Sequence, residues 1–450
     1  LAAAGWLSSI NDVESAQAYL RTLSRPGLVR TPGLVRMRRL LELLGNPAAD
    51  LRTVHITGTN GKGSVAATIA SICRCAGLKT GLFVSPYLER FGERIQVDGR
   101  ELPDEWQARL LAPVGAAIEQ MVAEGSEVPT EFEAITAMAA LYYEALHVDL
   151  VVLEAGMGGL RDATNAFAGS LVSVITSVGL DHTERLGGTV AEIAREKAGI
   201  IRPAGVVITG DLRPEAAAVV AEVAVGCGAA VRSLGRDFYV RVGAVDQTGI
   251  RVTVRTREAS YLRLQFPLLG RHQASNVAIA VAVAEHLAAS GLGIDPGHIR
   301  RGVEATVWPG RSEVFSRQPL VVLDGGHNPD ALSALAATLT ETFAGRRIIA
   351  VLAGMADKDL AAMFSAIGPL LAAAIATVPP FTPRAIDPAS LAALLGERFP
   401  QLQVAAEADL SVALGQGLAA VKQGEYDMLL VAGSFYLVGA ARSWLAEQIR

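Results

Sequence analysis

The chain has only three cysteines in 450 residues, Cys73, Cys75 and Cys227. Their spacing suits neither a disulfide framework nor a zinc site. Cys73 and Cys75 lie two apart on an expected helix and cannot face each other, so all three are expected to be small core residues in a reducing compartment. Long apolar runs are also missing. None reaches the roughly 18 residues that a membrane helix needs, and no charged-then-apolar leader is visible at the start. We therefore expect a cytoplasmic protein with no membrane partner. No Lys/Arg tract stands out and the net charge is −5, which argues against nucleic-acid binding. No Asn-Lys-X-Asp sequence is present, so a guanine-specific switch is disfavoured. No short repeat or low-complexity tract appears beyond an enrichment in alanine. What remains is ample core material: half the residues are apolar and 19% are charged. At this length two domains are expected.

The feature that organises the chain is residues 54–64, Val-His-Ile-Thr-Gly-Thr-Asn-Gly-Lys-Gly-Ser. A strand-like run enters a glycine-rich turn, and a helical pattern follows in which Val65, Ile69, Ile72 and Cys73 share a face. Glycines let backbone N–H groups approach an anion, and a helix N-terminus adds partial positive charge. Lys62 would reach outer phosphates and Ser64 could ligate Mg²⁺. The spacing departs from the usual phosphate loop. Gly58 and Gly61 enclose two residues rather than four, and Gly63 separates Lys62 from Ser64. By itself the pattern also fits a strand-to-helix turn with an exposed lysine.

Residues 11–23 and 31–44 read as helices, with a Pro/Gly loop at 25–33 between them. Apolar strands are expected at 80–85, 148–153, 171–177 and 206–210, alternating with helices at 105–124, 132–147 and 190–197 and from 211 to about 225. This alternation favours a parallel sheet covered on both faces. Residues 238–269 alternate Val, Tyr and Leu with Arg and Thr around a turn at 246–249, the texture of a small antiparallel sheet. Residues 272–290 return to helix. Residues 291–311 are rich in Gly, Pro and Arg and read as the end of the first domain and a hinge. Further strands at 320–323, 348–352, 374–378, 403–406 and 428–431, each followed by a helix, make a second doubly wound sheet. The expected fold class is α/β: a P-loop NTPase-like parallel-sheet domain with a small antiparallel sheet (1–300), a hinge (301–311), and a smaller Rossmann-like C-terminal domain (312–450).

Ligands of open parallel sheets bind at the C-terminal strand ends. In the first domain those ends carry Ser64, Ser85, Glu154 and Asp181-His182, with Lys197 on the next helix. Hydroxyl, carboxylate and imidazole groups of this kind can hold Mg²⁺ or Mn²⁺. A carboxylate directly after an apolar strand must face a charge; for Glu154 that charge is either a metal beside phosphates or a nearby arginine. His182 is either a ligand or a hydrogen-bonded structural residue. Residues 154–165 form a second glycine-rich loop, in which Asp162, Thr164 and Asn165 offer recognition groups unless the loop is simply flexible. In the second domain Asp324-Gly-Gly-His-Asn-Pro-Asp330 suits a ribose or phosphate, or a helix cap at Asn328. Arg311 would neutralise a transferring phosphate or join an interdomain ion pair.

In order along the chain stand the loop at 58–64, Ser85-Pro86, Glu93-Arg94-Ile95, Thr130-Glu-Phe-Glu133, Glu154-Ala-Gly-Met-Gly-Gly159, Asp162-Ala-Thr-Asn165, Leu180-Asp-His182, Lys197-Ala-Gly-Ile200, Trp308-Pro-Gly-Arg311 and Asp324–Asp330. Together they resemble the folylpolyglutamate synthase / dihydrofolate synthase family of Mur-ligase-like ATP-dependent amide ligases. Residues 354–359 and 433–437 extend the resemblance to the C-terminus. It implies that ATP converts a substrate carboxylate to an acyl phosphate, which the amine of L-glutamate then attacks. The acceptor would be dihydropteroate, a reduced folate, or both. By this resemblance Asn60, Gly61, Lys62, Gly63, Ser64, Asn276, Arg311, Asp324 and His327 would contact ATP. Ser64, Ser85, Glu154 and His182 would ligate Mg²⁺, and Thr130, Phe132, Asp162 and Ala163 would lie near the pterin. Lys62, Glu154, His182, Lys197 and Arg311 would serve catalysis, with Lys197 carbamylated. The resemblance leaves room for a monovalent cation, and a monomer is expected. Leu160-Arg161 reverses the family's more common Arg-Leu order, Met157 replaces Leu or Ile, and Gly326 replaces Ala. A ligase for UDP-sugar peptides is the nearest rival; it would be expected to carry a UDP-binding domain ahead of the phosphate loop, where about 50 residues stand here.

Overall fold

The computed structural model describes residues 12–23, 34–380, 382 and 384–449. The loop expected at 25–33 lies outside the described residues. Eight strands form the first sheet: β1 (Thr53–Thr57), β2 (Thr80–Phe83), β3 (Ile95–Val97), β4 (Arg100–Glu101), β5 (Leu150–Glu154), β6 (Ser170–Ile175), β7 (Val206–Thr209) and β8 (Ala230–Ser233). Their order is β4-β3-β2-β5-β1-β6-β7-β8. From β2 to β8 every pairing is parallel, and β3 and β4 add an antiparallel margin. β1 and β5 are buried at every position, as expected of strands covered on both faces. Their register sets Ile56 beside Glu154, and Thr57 beside Ile175 of β6. Three strands therefore end level with one another, and the turn at 58–61 leaves from the middle one.

That turn leads into the helix Lys62–Cys75, in which every residue from Gly63 to Cys73 is buried. One side of the sheet is closed by this helix, the helices Gln273–Ala289 and Pro296–Glu304, and one face of a small antiparallel sheet. The small sheet comprises β9 (Tyr239–Asp246), β10 (Gly249–Arg255) and β11 (Ser260–Phe266). The other side is closed by helices Val13–Thr22, Val35–Leu43, Asp104–Ala123 and Glu131–Ala145.

A second sheet holds β12 (Glu313–Arg317), β13 (Leu320–Asp324), β14 (Ile348–Leu352), β15 (Leu371–Ala376), β16 (Gln403–Ala406) and β17 (Met428–Ala432), in the order β12-β13-β17-β14-β15-β16. All of its pairs are parallel except β12 with β13. The expected α/β class, with its small antiparallel sheet and second doubly wound sheet, is observed. The structure adds β3, β4, β8 and β12, which were not expected. It also places the helix Pro296–Glu304 inside the segment read as domain end and hinge. Asp295 caps that helix, its carboxylate accepting from the His298 N–H at 2.7 Å, and Pro296 occupies the first turn, where its missing N–H costs nothing.

Candidate active site

Gly61 begins the phosphate-loop helix at φ +86°, and Asn276 lies against it: a Cβ there would be 2.5 Å from Asn276 Oδ1. Asn276 is held by its own amide, which donates to Gln273 Oε1 at 2.8 Å. Gly63 is covered by the indole of Trp308. A Cβ at Gly63 would stand 2.6 Å from Cζ2 and 2.9 Å from Nε1. The extra glycine between Lys62 and Ser64 is thus required by packing against the Trp-Pro-Gly-Arg segment. The end of β6 secures the loop from the other side. Thr59 N–H donates to the Ser177 carbonyl at 2.9 Å, Asn60 N–H to Ser177 Oγ at 2.9 Å, and Thr176 Oγ1 to the Asn60 carbonyl at 2.6 Å. Lys62 Nζ donates to the carbonyls of Gly58 and Thr59 at 3.0 and 3.3 Å. Ser64 is buried in the first turn of the helix.

Glu154 ends β5 and is 4% exposed. Its Oε2 lies 3.5 Å from the Ser85 backbone N–H, and among the described residues it makes no ion pair. Burial pushes its carboxyl up to about 7; the cations of Lys62 and Arg311 pull the other way, and Asp162 adds to the rise. A buried carboxylate acted on by two cations but paired with neither fits a site for a bound cation and phosphate. Arg311 reaches this region from the second sheet, stacked 3.9 Å from the Phe435 ring centroid, with burial opposed by the charges of Asp324 and Glu154. Asp324 accepts from Ser312 N–H, Ser312 Oγ and Gly326 N–H at 2.7, 3.0 and 2.7 Å. His327 packs against Phe435 with Nδ1 3.1 Å from the Gly325 carbonyl oxygen, and burial lowers its pKa to about 4. Asn328 caps the helix Pro329–Thr342, as one of the two readings expected, and also donates to Asn60 Oδ1 at 3.0 Å.

Lys197 is 3% exposed on the helix Val190–Ala198. Burial lowers its pKa to about 7 and Lys62 adds to the effect, against the pull of Asp181, Asp162 and Glu196. His182 is exposed in a left-handed conformation at φ +51°. The charges that act on it are those of Asp181, Lys358, Lys62 and Lys197, not that of Glu154. Among the described residues no three His, Cys, Asp or Glu side chains assemble to hold a metal. Hydroxyls, phosphate oxygens and water would have to complete any coordination that Glu154 begins.

Thr130 caps the helix Glu131–Ala145, accepting from the Glu133 N–H at 3.1 Å. The Phe132 ring covers the second loop, 2.7 Å from where a Cβ of Gly156 would stand. That loop is pinned rather than loose. Asp162 accepts from Met157 N–H and Thr164 N–H at 2.9 and 3.1 Å and from Thr164 Oγ1 at 2.5 Å. Thr164 Oγ1 also meets buried His55 Nε2 at 2.8 Å, and the Asn165 amide donates to the Leu160 and Gly199 carbonyls, both at 3.1 Å. Asp162, Thr164 and Asn165, expected as recognition groups in a mobile turn, are engaged in holding the loop. Ala163 is buried in the core.

Sequence reasoning passed over several residues here. Lys358 Nζ pairs with Asp181 Oδ1 at 2.6 Å, and the Asn328 amide donates to Asp181 Oδ2 at 3.2 Å. These contacts tie the second sheet's loops to the first sheet's strand ends. Lys358 lies in the 354–359 stretch and Trp308 in the Trp-Pro-Gly-Arg stretch, and both stretches were visible as motifs. Two surface cavities of about 570 and 490 Å³ lie elsewhere, at Gln247–Arg317–Tyr426 and on the open face of the small sheet, and contain none of these groups.

The Mur ligase middle domain family matches residues 56–284, and the Mur ligase glutamate ligase domain family matches residues 310–435. A folylpolyglutamate synthase of Lacticaseibacillus casei is 38% identical over 432 residues, covering 95% of this chain and 97% of that protein. A Bacillus subtilis dihydrofolate synthase/folylpolyglutamate synthase is 38% identical over 329 residues, 73% of this chain and 76% of its own length. Among solved structures, the Mycobacterium tuberculosis folylpolyglutamate synthase complexed with ADP and AMPPCP superposes with a TM-score of 0.88 at 32% identity, covering 96% of this chain and 98% of that one.

Proposed function

We propose, from the premise that this chain belongs to the folylpolyglutamate synthase / dihydrofolate synthase family, that it is an ATP-dependent ligase adding L-glutamate to a folate-pathway carboxylate. The acceptor is dihydropteroate, a reduced folate, or both. The observation that carries the reading is the buried Glu154 carboxylate facing Lys62 and Arg311 at the end of the phosphate-loop sheet.

A carboxylate is a poor electrophile, and its oxygen is a poor leaving group. In the proposed reaction an acceptor carboxylate oxygen attacks the γ-phosphorus of ATP, the bond to ADP breaks, and an acyl phosphate forms. The glutamate amine then attacks the acyl carbon, losing a proton, and phosphate departs. The chain's part is to place these groups, neutralise charge on the moving phosphoryl group and keep water away. The 58–64 loop with Asn60, Gly61, Lys62, Gly63 and Ser64 receives the phosphates, and Asn276, Asp324 and His327 lie where the rest of the nucleotide would rest. Lys62 and Arg311 supply charge from opposite sides of the interdomain junction. Glu154 with Ser64 and Ser85 would hold Mg²⁺, and His182 would join through a rearrangement of its exposed loop. When bound, Mg²⁺ supplies charge neutralisation across the phosphate oxygens. Phe132 and Thr130 would lie beside the pterin, with Asp162 and Ala163 shaping the loop behind it.

A lysine with a pKa near 7 is substantially neutral at physiological pH, and a neutral amine is the form that adds CO₂. This supports a carbamylated Lys197, which would bring an anion close to Lys62. A monovalent cation would suit the same anionic environment. The reading takes the enzyme as a cytoplasmic monomer acting on small molecules; among the described residues no helix is long and apolar enough to cross a membrane.

The direct test incubates the protein with ATP, Mg²⁺, labelled L-glutamate and either dihydropteroate or tetrahydrofolate. Incorporation with release of one phosphate per glutamate is expected, and the acceptor profile separates the two activities. No incorporation with either acceptor refutes the reading.

A further inference from the structure

We propose that Arg94 holds the carboxylate of the acceptor substrate, an assignment that rests on the ligase reading above. Arg94 closes the short turn Phe91–Arg94, and its carbonyl accepts from the Val84 N–H at 3.0 Å. That bond fixes it beside the strand end that presents Ser85. Its guanidinium carbon lies 5.1 Å from the centroid of the Tyr87 ring. The other ionisable groups that act on it are Glu131, beside Thr130 and Phe132, Tyr436 of the second domain, and Glu154. The cation therefore stands among the helix start that would face the pterin, the carboxylate that would face the metal, and the C-terminal domain.

The acidic residues near it in sequence are engaged elsewhere. The adjacent Glu93 carboxylate accepts the backbone N–H groups of Leu88, Glu89 and Arg90 at 2.6, 3.0 and 2.9 Å. Glu101 pairs with Arg90 at 2.7 Å, and Glu89 pairs with Arg442. Among the described residues Arg94 makes no ion pair, and its buried Nε has no acceptor. A guanidinium withdrawn from water without a carboxylate is costly. It is worth keeping only where an anion arrives to meet it, and its planar fork matches a carboxylate through two parallel hydrogen bonds. An acceptor stacked by Phe132 with its acid end toward Glu154 brings such an anion. Arg94 would hold both oxygens along one edge of the carboxylate and leave a lone pair on one of them free for phosphoryl transfer.

The test compares wild type, Arg94→Lys and Arg94→Met. It measures KM for acceptor and for ATP, and Kd for the acceptor and for an analogue with aniline in place of its aminobenzoate. A charge-assisted hydrogen-bond pair predicts a rise in acceptor KM and Kd of about 30-fold in the Met variant. A smaller rise is expected in the Lys variant, which keeps charge but not the fork. Carboxyl-free analogue binding and ATP KM should stay within about twofold. Unchanged acceptor affinity, or equal losses for acceptor and analogue, overturns the assignment while wild-type ligation stands. Wild-type protein that incorporates no glutamate overturns the ligase reading itself. If the Met variant does not fold, the Lys variant and the wild-type comparison decide, and equal wild-type affinity for acceptor and analogue refutes the role.

Discussion

Replacing Lys197 by Met should change the pH dependence of stability in a calculable way. Burial lowers the amine from its ordinary 10.5 to about 7. At about 1.4 kcal/mol per tenfold change in proton affinity, holding the protonated amine in the fold costs on the order of 5 kcal/mol. Between pH 7 and 10.5 the unfolded chain binds a proton at this residue and the folded chain does not, so stability rises with pH across that window. Below pH 7 both forms are protonated and the full cost is present. Met carries no such proton. The wild type should therefore gain about 2.3 kcal/mol on Lys197→Met between pH 7 and pH 9, the folded amine being half protonated at pH 7. Urea unfolding of nucleotide-free protein in CO₂-free buffer at pH 6, 7, 8 and 9 measures this gain. A wild-type-to-variant difference that stays flat over the series would falsify the buried-amine reasoning. Adding bicarbonate at pH 7.5 should stabilise the wild type alone, since only it has the buried, low-pKa amine at position 197 to carbamylate.

Gly63→Ala should displace the Trp308 indole, because the new methyl would lie 2.6 Å from Cζ2. ATP affinity should fall at least about tenfold, given the strain of overpacking. Trp308→Ala in the same background should recover part of it, and a double variant no better than the single would argue against the contact. Lys358→Met should cost about 1–3 kcal/mol by removing the cation paired with Asp181, which then keeps only the Asn328 amide and the His182 N–H as partners. Asp181→Asn in that background should restore much of the loss in a denaturation experiment. Additive losses would show that the pair is not coupled.

The parallel centre of the first sheet is legible in the sequence because β5 is an apolar run up to Glu154 and β1, buried on both faces, leads straight into the glycine-rich turn. The margins are not. β3 is three residues long, β4 two, and β12 and β8 are only partly buried. Such strands owe their existence to a neighbour's free edge, which local composition does not record. The helix Pro296–Glu304 had its cap and its proline in view, but glycine and arginine around it gave the texture of a linker. In the site, the 58–64 loop and Glu154 could be read from short-range chemistry. The meaning of Gly63 could not, because it depends on an indole 245 residues away, and the Asp181–Lys358 pair spans 177 residues. The anchoring of the second loop was hidden for the same reason: His55 and Gly199, which meet Thr164 and Asn165, lie 109 and 34 residues away from them.

The contacts of Asn60 with Asn328 and of Asp181 with Lys358 make nucleotide affinity a property of both sheets at once. They hold the molecule in one arrangement, and only the fraction of molecules in a binding-competent arrangement can take up a nucleotide. Apparent affinity is intrinsic affinity scaled by that fraction. By reciprocity, a nucleotide that favours one arrangement must alter the strength of the Asp181–Lys358 bond by the same free energy. A substitution at Lys358, remote in sequence from the phosphate loop, can then weaken or tighten ATP binding without touching ATP.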